Sequence, residues 1–109
     1  MNPKIHVLIL NWNGSKYLNA SIESIKNNNY SNFKITVIDN NSNDDSLLKV
    51  ENNNINIISH PKNYKYAKGY NKAIFNLKND DSDYYLLLNN DTVSDQNLLE
   101  SFSKATKEY

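Results

Sequence analysis

The sequence predicts an α/β domain in which four strands alternate with helices, strand then helix four times over, on one mainly parallel sheet. Three observations predict it. Short apolar runs at residues 5–10, 34–39, 55–58 and 84–88 have strand length and composition. A segment with apolar residues at helical spacing follows each of them. Strands separated by helices require right-handed crossovers, which make the strands parallel. No repeat, linker or composition break divides the chain, so residues 1–109 are expected to form one domain.

The first strand, IHVLIL at 5–10, closes on Asn11, Trp12, Asn13 and Gly14, a turn-forming group. Leu18, Ile22 and Ile25 fall on one face of a helix expected over 15–27, with Lys16, Asn19, Glu23 and Lys26 off that face. Residues 27–32 are a polar turn, and KITVID at 34–39 is a second strand ending on a carboxylate. Asp44 or Asp45 can cap a short helix carrying Leu47, Leu48 and Val50. The third strand, at 55–58, leads through a loop containing Pro61 into a helix over 66–78 with Tyr70, Ala73, Ile74 and Leu77 on one side. The fourth run, YYLLL at 84–88, lacks the alternation of a half-wet strand and is expected to be central and buried on both faces. A closing helix over 96–107 presents Leu98, Leu99, Phe102 and Ala105.

Composition excludes several classes. Lysines and acids number 12 each, arginine is absent and the net charge is zero, which argues against nucleic-acid binding. With no cysteine there is neither a disulfide framework nor a thiolate metal site, in keeping with a reducing compartment. No apolar run approaches the roughly 20 residues that span a bilayer, and the short segment before the first strand does not read as a signal peptide. Asparagine makes up about a fifth of the chain, well above ordinary usage.

The chemistry gathers after the strands. Asn11 and Asn13, then Asp39, Asn40 and Asn41, then Asn89, Asn90 and Asp91, all follow carboxyl ends of parallel strands and so share one rim of the sheet. If strands one and four are neighbours and the order reverses there, as in the order 3-2-1-4, the rim becomes a crevice for ligands. A carboxylate beside amide oxygens there suits a hard cation such as Mg²⁺ or Mn²⁺. Asp80, Asp81 and Asp83 precede the fourth strand on the opposite rim and read as a solvated turn. His6 reads as a packed strand residue, and His60 has no metal-ligand partner at suitable spacing.

These residues resemble the amino-terminal half of a family 2 glycosyltransferase, a Rossmann-like GT-A fold. VLILNWNG at 7–14 resembles the family's opening strand and loop. VIDNNSNDDS at 37–46 resembles its V-D-N-x-S-x-D-x-S stretch, and NYKYAKGYN at 63–71 its N-x-G-x-A-x-G-x-N segment. LLLNNDT at 86–92 resembles the D-x-D region in its rhamnosyltransferase-like variant. Four motifs in the right order, each on an expected strand end, make the match specific, and it runs nearly end to end.

The resemblance implies a nucleotide-diphosphate-sugar donor (a UDP- or dTDP-sugar), a divalent cation, Mg²⁺ or Mn²⁺, and inverting transfer to a saccharide or lipid-linked acceptor in the full-length enzyme. It also implies a role in cell-surface polysaccharide biosynthesis, in the cytoplasm or at the inner face of the membrane. Carried over by position, Asp39 accepts a hydrogen bond from the nucleoside, Asp91 ligates the metal, and Asn89 or Asn90 lies near the ribose or sugar. Asn11, Asn13, Asn41, Asn63 and Lys68 complete the implied nucleotide-binding set. Two positions depart from the family: Asn89 stands where many members have the first acid of D-x-D, and Lys65 where the third motif has glycine. An inverting displacement needs a general base. After Asp91 only Asp95, Glu100 and Glu108 remain, and none is assigned that role, so the chain reads as a donor-binding half without a catalytic residue of its own. A receiver-type signalling domain would need an acidic pair where Asn11, Trp12 and Asn13 stand. A dinucleotide fold would need G-x-G-x-x-G from a chain with two glycines. The remaining alternative is a non-catalytic nucleotide-binding or interaction module of the same fold.

Overall fold

The computed structural model describes residues 2–51 and 55–108. Eight elements follow in the expected alternation: β1 (Ile5–Asn11), α1 (Leu18–Lys26), β2 (Phe33–Asp39), α2 (Ser46–Glu51), β3 (Asn56–Ser59), α3 (Lys65–Asn76), β4 (Tyr84–Asn89) and α4 (Leu98–Thr106). The four strands form one sheet in the order β3-β2-β1-β4, and every pairing is parallel. This is the expected Rossmann-like topology, with β1 and β4 adjacent at the point where the order reverses.

Strand alternation divides the core in two. Ile5, Val7 and Ile9 of β1 point to one face and pack with Leu18, Ile22 and Ile25 of α1, Val50 of α2 and Leu99 of α4. Leu8 of β1 and Ile38 of β2 point to the other face, where Tyr70 and Ala73 of α3 cover them. The side chains of Ile5, Val7, Leu8 and Ile9 are fully buried, so β1 is covered on both faces.

Three expectations are corrected. β4 is an edge strand, with Tyr84 40% and Leu87 41% exposed. Its continuous apolar run signals two-sided burial, and this fold supplies only the β1 side and partial helix cover. α1 starts at Leu18 rather than 15, because Gly14 and Ser15 belong to a tight turn in which the Tyr17 and Leu18 N–H groups both reach the Gly14 carbonyl. Asp80 is no solvated turn residue: its side chain is 4% exposed, ion-paired with Lys34 and hydrogen-bonded to His6.

Candidate functional site

The strand register sets the rim. Asn11 lies opposite Asp39, Asp39 opposite Ser59, and Leu10 opposite Asn89, so all four carboxyl ends finish in one row. The loops leaving that row carry three non-glycine residues at positive φ: Asn13 (52°), Asn41 (65°) and Lys65 (66°). Asparagine tolerates the left-handed region; lysine does so at a cost. The left-handed backbone at Lys65 explains why the resembled motif has glycine there.

Asn11 is the hub that joins these loops. It is fully buried, and its Nδ2 lies 3.0 Å from Asp39 Oδ1, 3.0 Å from Ser46 Oγ and 3.2 Å from Ser42 Oγ. Its Oδ1 accepts from Asn90 Nδ2 at 2.9 Å, which ties the loop after β4 to the loops after β1 and β2. Gly14 makes that bond possible, since a Cβ there would overlap both Asn90 Nδ2 and Asn11 Oδ1. Asp39 is 3% exposed and its carboxylate is occupied within the protein. Oδ1 accepts from the Ser42 hydroxyl at 2.6 Å and from Asn11, and Oδ2 accepts from the Ser42 N–H at 2.8 Å. Asn13 braces the same loop, its N–H donating to Ser42 Oγ and its Oδ1 accepting from the Asn43 N–H. Asp44, rather than Asp45, caps α2. Burial alone would raise its carboxyl pKa, but bonds from the Ser46 hydroxyl and N–H and from the Ser15 N–H hold it below the usual range.

Above this braced floor lies an open cleft of about 590 Å³, lined by Leu10, Trp12, Asn40, Asn63, Lys65, Tyr66, Asn89, Asn90 and Asp91. It opens where β1 and β4 part. There the buried Tyr70 hydroxyl bridges the two strands, accepting from the Leu10 N–H at 3.3 Å and donating to the Leu88 carbonyl at 2.6 Å. Burial pushes the Tyr70 phenol up to about 12, so it stays a protonated donor. Trp12 and Tyr66 are about half exposed at the walls, at 52% and 55%. Asn40 is 1% exposed; its Nδ2 donates to the Lys65 carbonyl at 3.0 Å, while its buried Oδ1 has no partner within the protein. The absence of a Cβ on Gly69 leaves room for that amide beneath α3. That oxygen is shut off from solvent, so it is an unpaired acceptor packed beneath α3 and is not presented to the cleft.

Asp91 is the one acid lining the cleft, and its neighbours there offer amide oxygens. Among the described residues no three His, Cys, Asp or Glu side chains come together as a metal cage. The donor set therefore fits a hard divalent ion held by one carboxylate and completed by phosphate and water, the usual pattern for Mg²⁺ at phosphate sites.

Of the residues singled out from sequence, Asn63, Asn89, Asn90 and Asp91 meet in the cleft. Asn11 and Asp39 lie beneath it, and Asn13 and Asn41 shape its loops. Lys68 stands apart: its ammonium is 5.3 Å from the Tyr64 ring centroid, and it lines a separate groove. Sequence reasoning placed Asn40 on the rim but left it out of the nucleotide-binding set. Strand parity could have found it, because Asn40 and Leu10 continue the α3 side of β2 and β1 whereas Asp39 continues the α1 side. His60 is structural, its N–H bonding the Asp39 carbonyl and its ring Nε2 the Gly69 carbonyl.

The chain matches the sequence profile of the family described as Glycosyl transferase family 2 over residues 6–109. No curated protein matches it. Among solved structures, Staphylococcus aureus TarS 1-349 in complex with UDP-GlcNAc aligns with a TM-score of 0.83 at 22% identity, covering 96% of this chain and 31% of that one. The mannosyltransferase PcManGT from Pyrobaculum calidifontis in complex with GDP-Man and Mn²⁺ aligns at 0.82 and 14% identity, over 94% and 32% of the two chains. Glucosyl-3-phosphoglycerate synthase from Mycobacterium tuberculosis, with Mn²⁺, UDP and its product, aligns at 0.66 and 16% identity, over 81% and 33%. The chain thus spans about a third of the length of these structures and shares their fold. With the family profile matched over nearly its whole length, this chain belongs to glycosyl transferase family 2.

Proposed function

We propose that this chain is the donor-binding domain of a glycosyltransferase, holding a nucleoside-diphosphate sugar in the rim cleft with a divalent cation at Asp91. The observation that carries the reading is a lone carboxylate set among amide groups at the carboxyl ends of β1 and β4. Neighbours holding UDP-GlcNAc, and GDP-Man with Mn²⁺, support a nucleotide-sugar ligand and a metal. Asn40 walls the cleft and Asp39, bonded to Ser42 and Asn11, holds its floor. Trp12 and Tyr66 flank the flat parts of the ligand, Lys65 adds a positive charge at the phosphates, and Asn89 and Asn90 face the ribose or sugar. A bound cation would offset the diphosphate charge that develops on the leaving group. The donor is a UDP- or dTDP-sugar and the reaction an inverting transfer to an acceptor hydroxyl. No general base is assigned, because among the described residues Asp91 is the only carboxylate at the cleft.

Isothermal titration with UDP and with dTDP, each with and without Mn²⁺, tests this reading. Metal-dependent binding that disappears in Asp91→Asn supports it. Binding indifferent to metal and to Asp91 would instead favour a nucleotide-binding module without transferase chemistry.

A further inference from the structure

The outward face of α3 has a charge character unlike the rest of the molecule. Between Glu51 and Asp80 there is no acid, and five of the chain's 12 lysines, at 62, 65, 68, 72 and 78, fall in that stretch. Lys62, Lys68 and Lys72 converge on one ring, their ammonium groups 5.4, 5.3 and 4.8 Å from the Tyr64 centroid. Lys78 stands 5.3 Å from the Phe75 ring, and Phe75 is 71% exposed. Positions 64, 68, 72 and 75 follow helical spacing along one stripe, opposite Tyr70, Ala73 and Leu77, which pack on the sheet. None of these four lysines pairs with a carboxylate among the described residues; the next acid after them in sequence, Asp80, is already tied to Lys34 and His6.

Solvated lysines alone would be unremarked surface. An exposed phenylalanine beside Lys68 and Lys72 on the outward face of α3, with Lys62 just before the helix and Lys78 just after it, is a basic and aromatic surface of the kind that meets an anionic membrane interface. We propose that this face of α3 docks on an anionic bilayer surface, with Phe75 entering the headgroup–acyl boundary and Lys62, Lys68, Lys72 and Lys78 meeting lipid phosphates. A nucleic-acid partner fits less well, since the whole chain is neutral and offers no arginine. No helix among the described residues is long and apolar enough to cross a membrane, so contact through α3 would be peripheral. The inference does not depend on what the cleft binds. It does have a consequence for the cleft, because Lys65 and Tyr66 at the start of the same helix line it, so docking would hold the cleft at a fixed height above the leaflet.

Vesicle co-sedimentation of this chain tests the proposal, with phosphatidylcholine vesicles and with vesicles containing phosphatidylglycerol, at low and high salt. We expect binding only to the anionic vesicles, abolished by salt. Each of Lys62→Gln, Lys72→Gln and Lys78→Gln should weaken it about fivefold. Phe75→Ser, which changes no charge, should weaken binding several-fold at low salt, which a purely electrostatic contact would not do. All four positions are solvent-exposed, so the variants should fold, and circular dichroism is the check on that. Lys16→Gln, on α1's side of the molecule, serves as the control and should bind as the wild type does. Absence of binding to anionic vesicles at low salt would overturn the proposal. So would equal binding by the α3 variants, or lysine-dependent binding of a DNA duplex in place of vesicles.

Discussion

Asn11→Asp isolates the electrostatics of the rim, because the two side chains share a shape and differ by one charge. Asn11 is fully buried, and its Nδ2 lies 3.0 Å from Asp39 Oδ1. In the variant a second carboxylate oxygen takes that place. Two unit charges at this 3.0 Å separation repel by about 5 kcal/mol at an effective dielectric constant near 20. A less costly outcome is available: one carboxyl keeps its proton and donates it to the other. For a group that titrates near 4 when unfolded, holding the proton costs about 4 kcal/mol at pH 7 and about 1.5 kcal/mol at pH 5. The smaller cost governs, so the variant should lose about 4 kcal/mol relative to wild type at pH 7 and recover most of that by pH 5. Urea unfolding followed by circular dichroism, with both proteins compared at each pH, reads the difference. An equal penalty at the two pH values, or one below about 1 kcal/mol at pH 7, would refute the buried Asn11–Asp39 contact and the hub built on it.

The remaining stability predictions concern Lys65 and the buried network on the opposite rim. Lys65→Gly relieves a left-handed φ of 66° and should raise stability by about 0.5–1 kcal/mol in urea melts, the strain relief exceeding the entropy that glycine adds to the unfolded chain. On the other rim, burial lowers the His6 pKa, while its ring bonds Asp80 and Thr36. Burial would raise Asp80, but Lys34, Ser82 and His6 outweigh it and hold its carboxyl well below the usual range. Both groups bind protons more readily when unfolded, so stability should fall as pH drops. The first stage begins near the unfolded histidine value of about 6.5 and the second below about 4. His6→Gln should remove the first stage and leave the second in urea melts across pH; a first stage that survives would refute the assignment.

The strands, their alternation with helices and the shared rim were legible because each rests on a local signal: apolar runs of strand length, helical spacing between them, and polar residues where the runs stop. Lys65 was legible in part, since its place in a glycine position marks a left-handed backbone that the structure then shows. Local patterns do not report which side a residue faces or what its charge meets. Asp39 and Asn40 are neighbours in sequence with opposite surroundings, the first bonded beneath the cleft and the second lining it. Only the parity of β2 relative to the helices on each face separates them. Asp80 looked solvated because its partners, Lys34 and His6, lie 46 and 74 positions away, and no local pattern reports an ion pair formed across the sheet. β4 misled for a related reason, as an apolar run records how much burial a strand can use, and the fold decides how much it receives.

The single carboxylate at the cleft dictates how metal and nucleotide depend on one another. Asp91 is exposed and offers a cation one negative charge, so a hard divalent ion should bind it more weakly than about 1 mM when no nucleotide is present. A diphosphate arriving without metal meets Lys65 and several amides but also the Asp91 charge, which repels it. Together, each ligand supplies the charge the other lacks, and linkage requires the gain to be reciprocal: Mn²⁺ must strengthen UDP by the same factor as UDP strengthens Mn²⁺. We expect at least about tenfold, worth roughly 1.4 kcal/mol. Calorimetry for UDP and electron paramagnetic resonance for Mn²⁺, each corrected for Mn²⁺–UDP pairing in solution, measure the two sides. Asp91→Asn then gives an asymmetric signature. It should bind metal-free UDP at least as well as wild type, because the repulsion is gone, and should gain nothing from Mn²⁺. A variant that lost metal-free binding as well would mean that Asp91 acts on the nucleotide or the fold rather than through a cation.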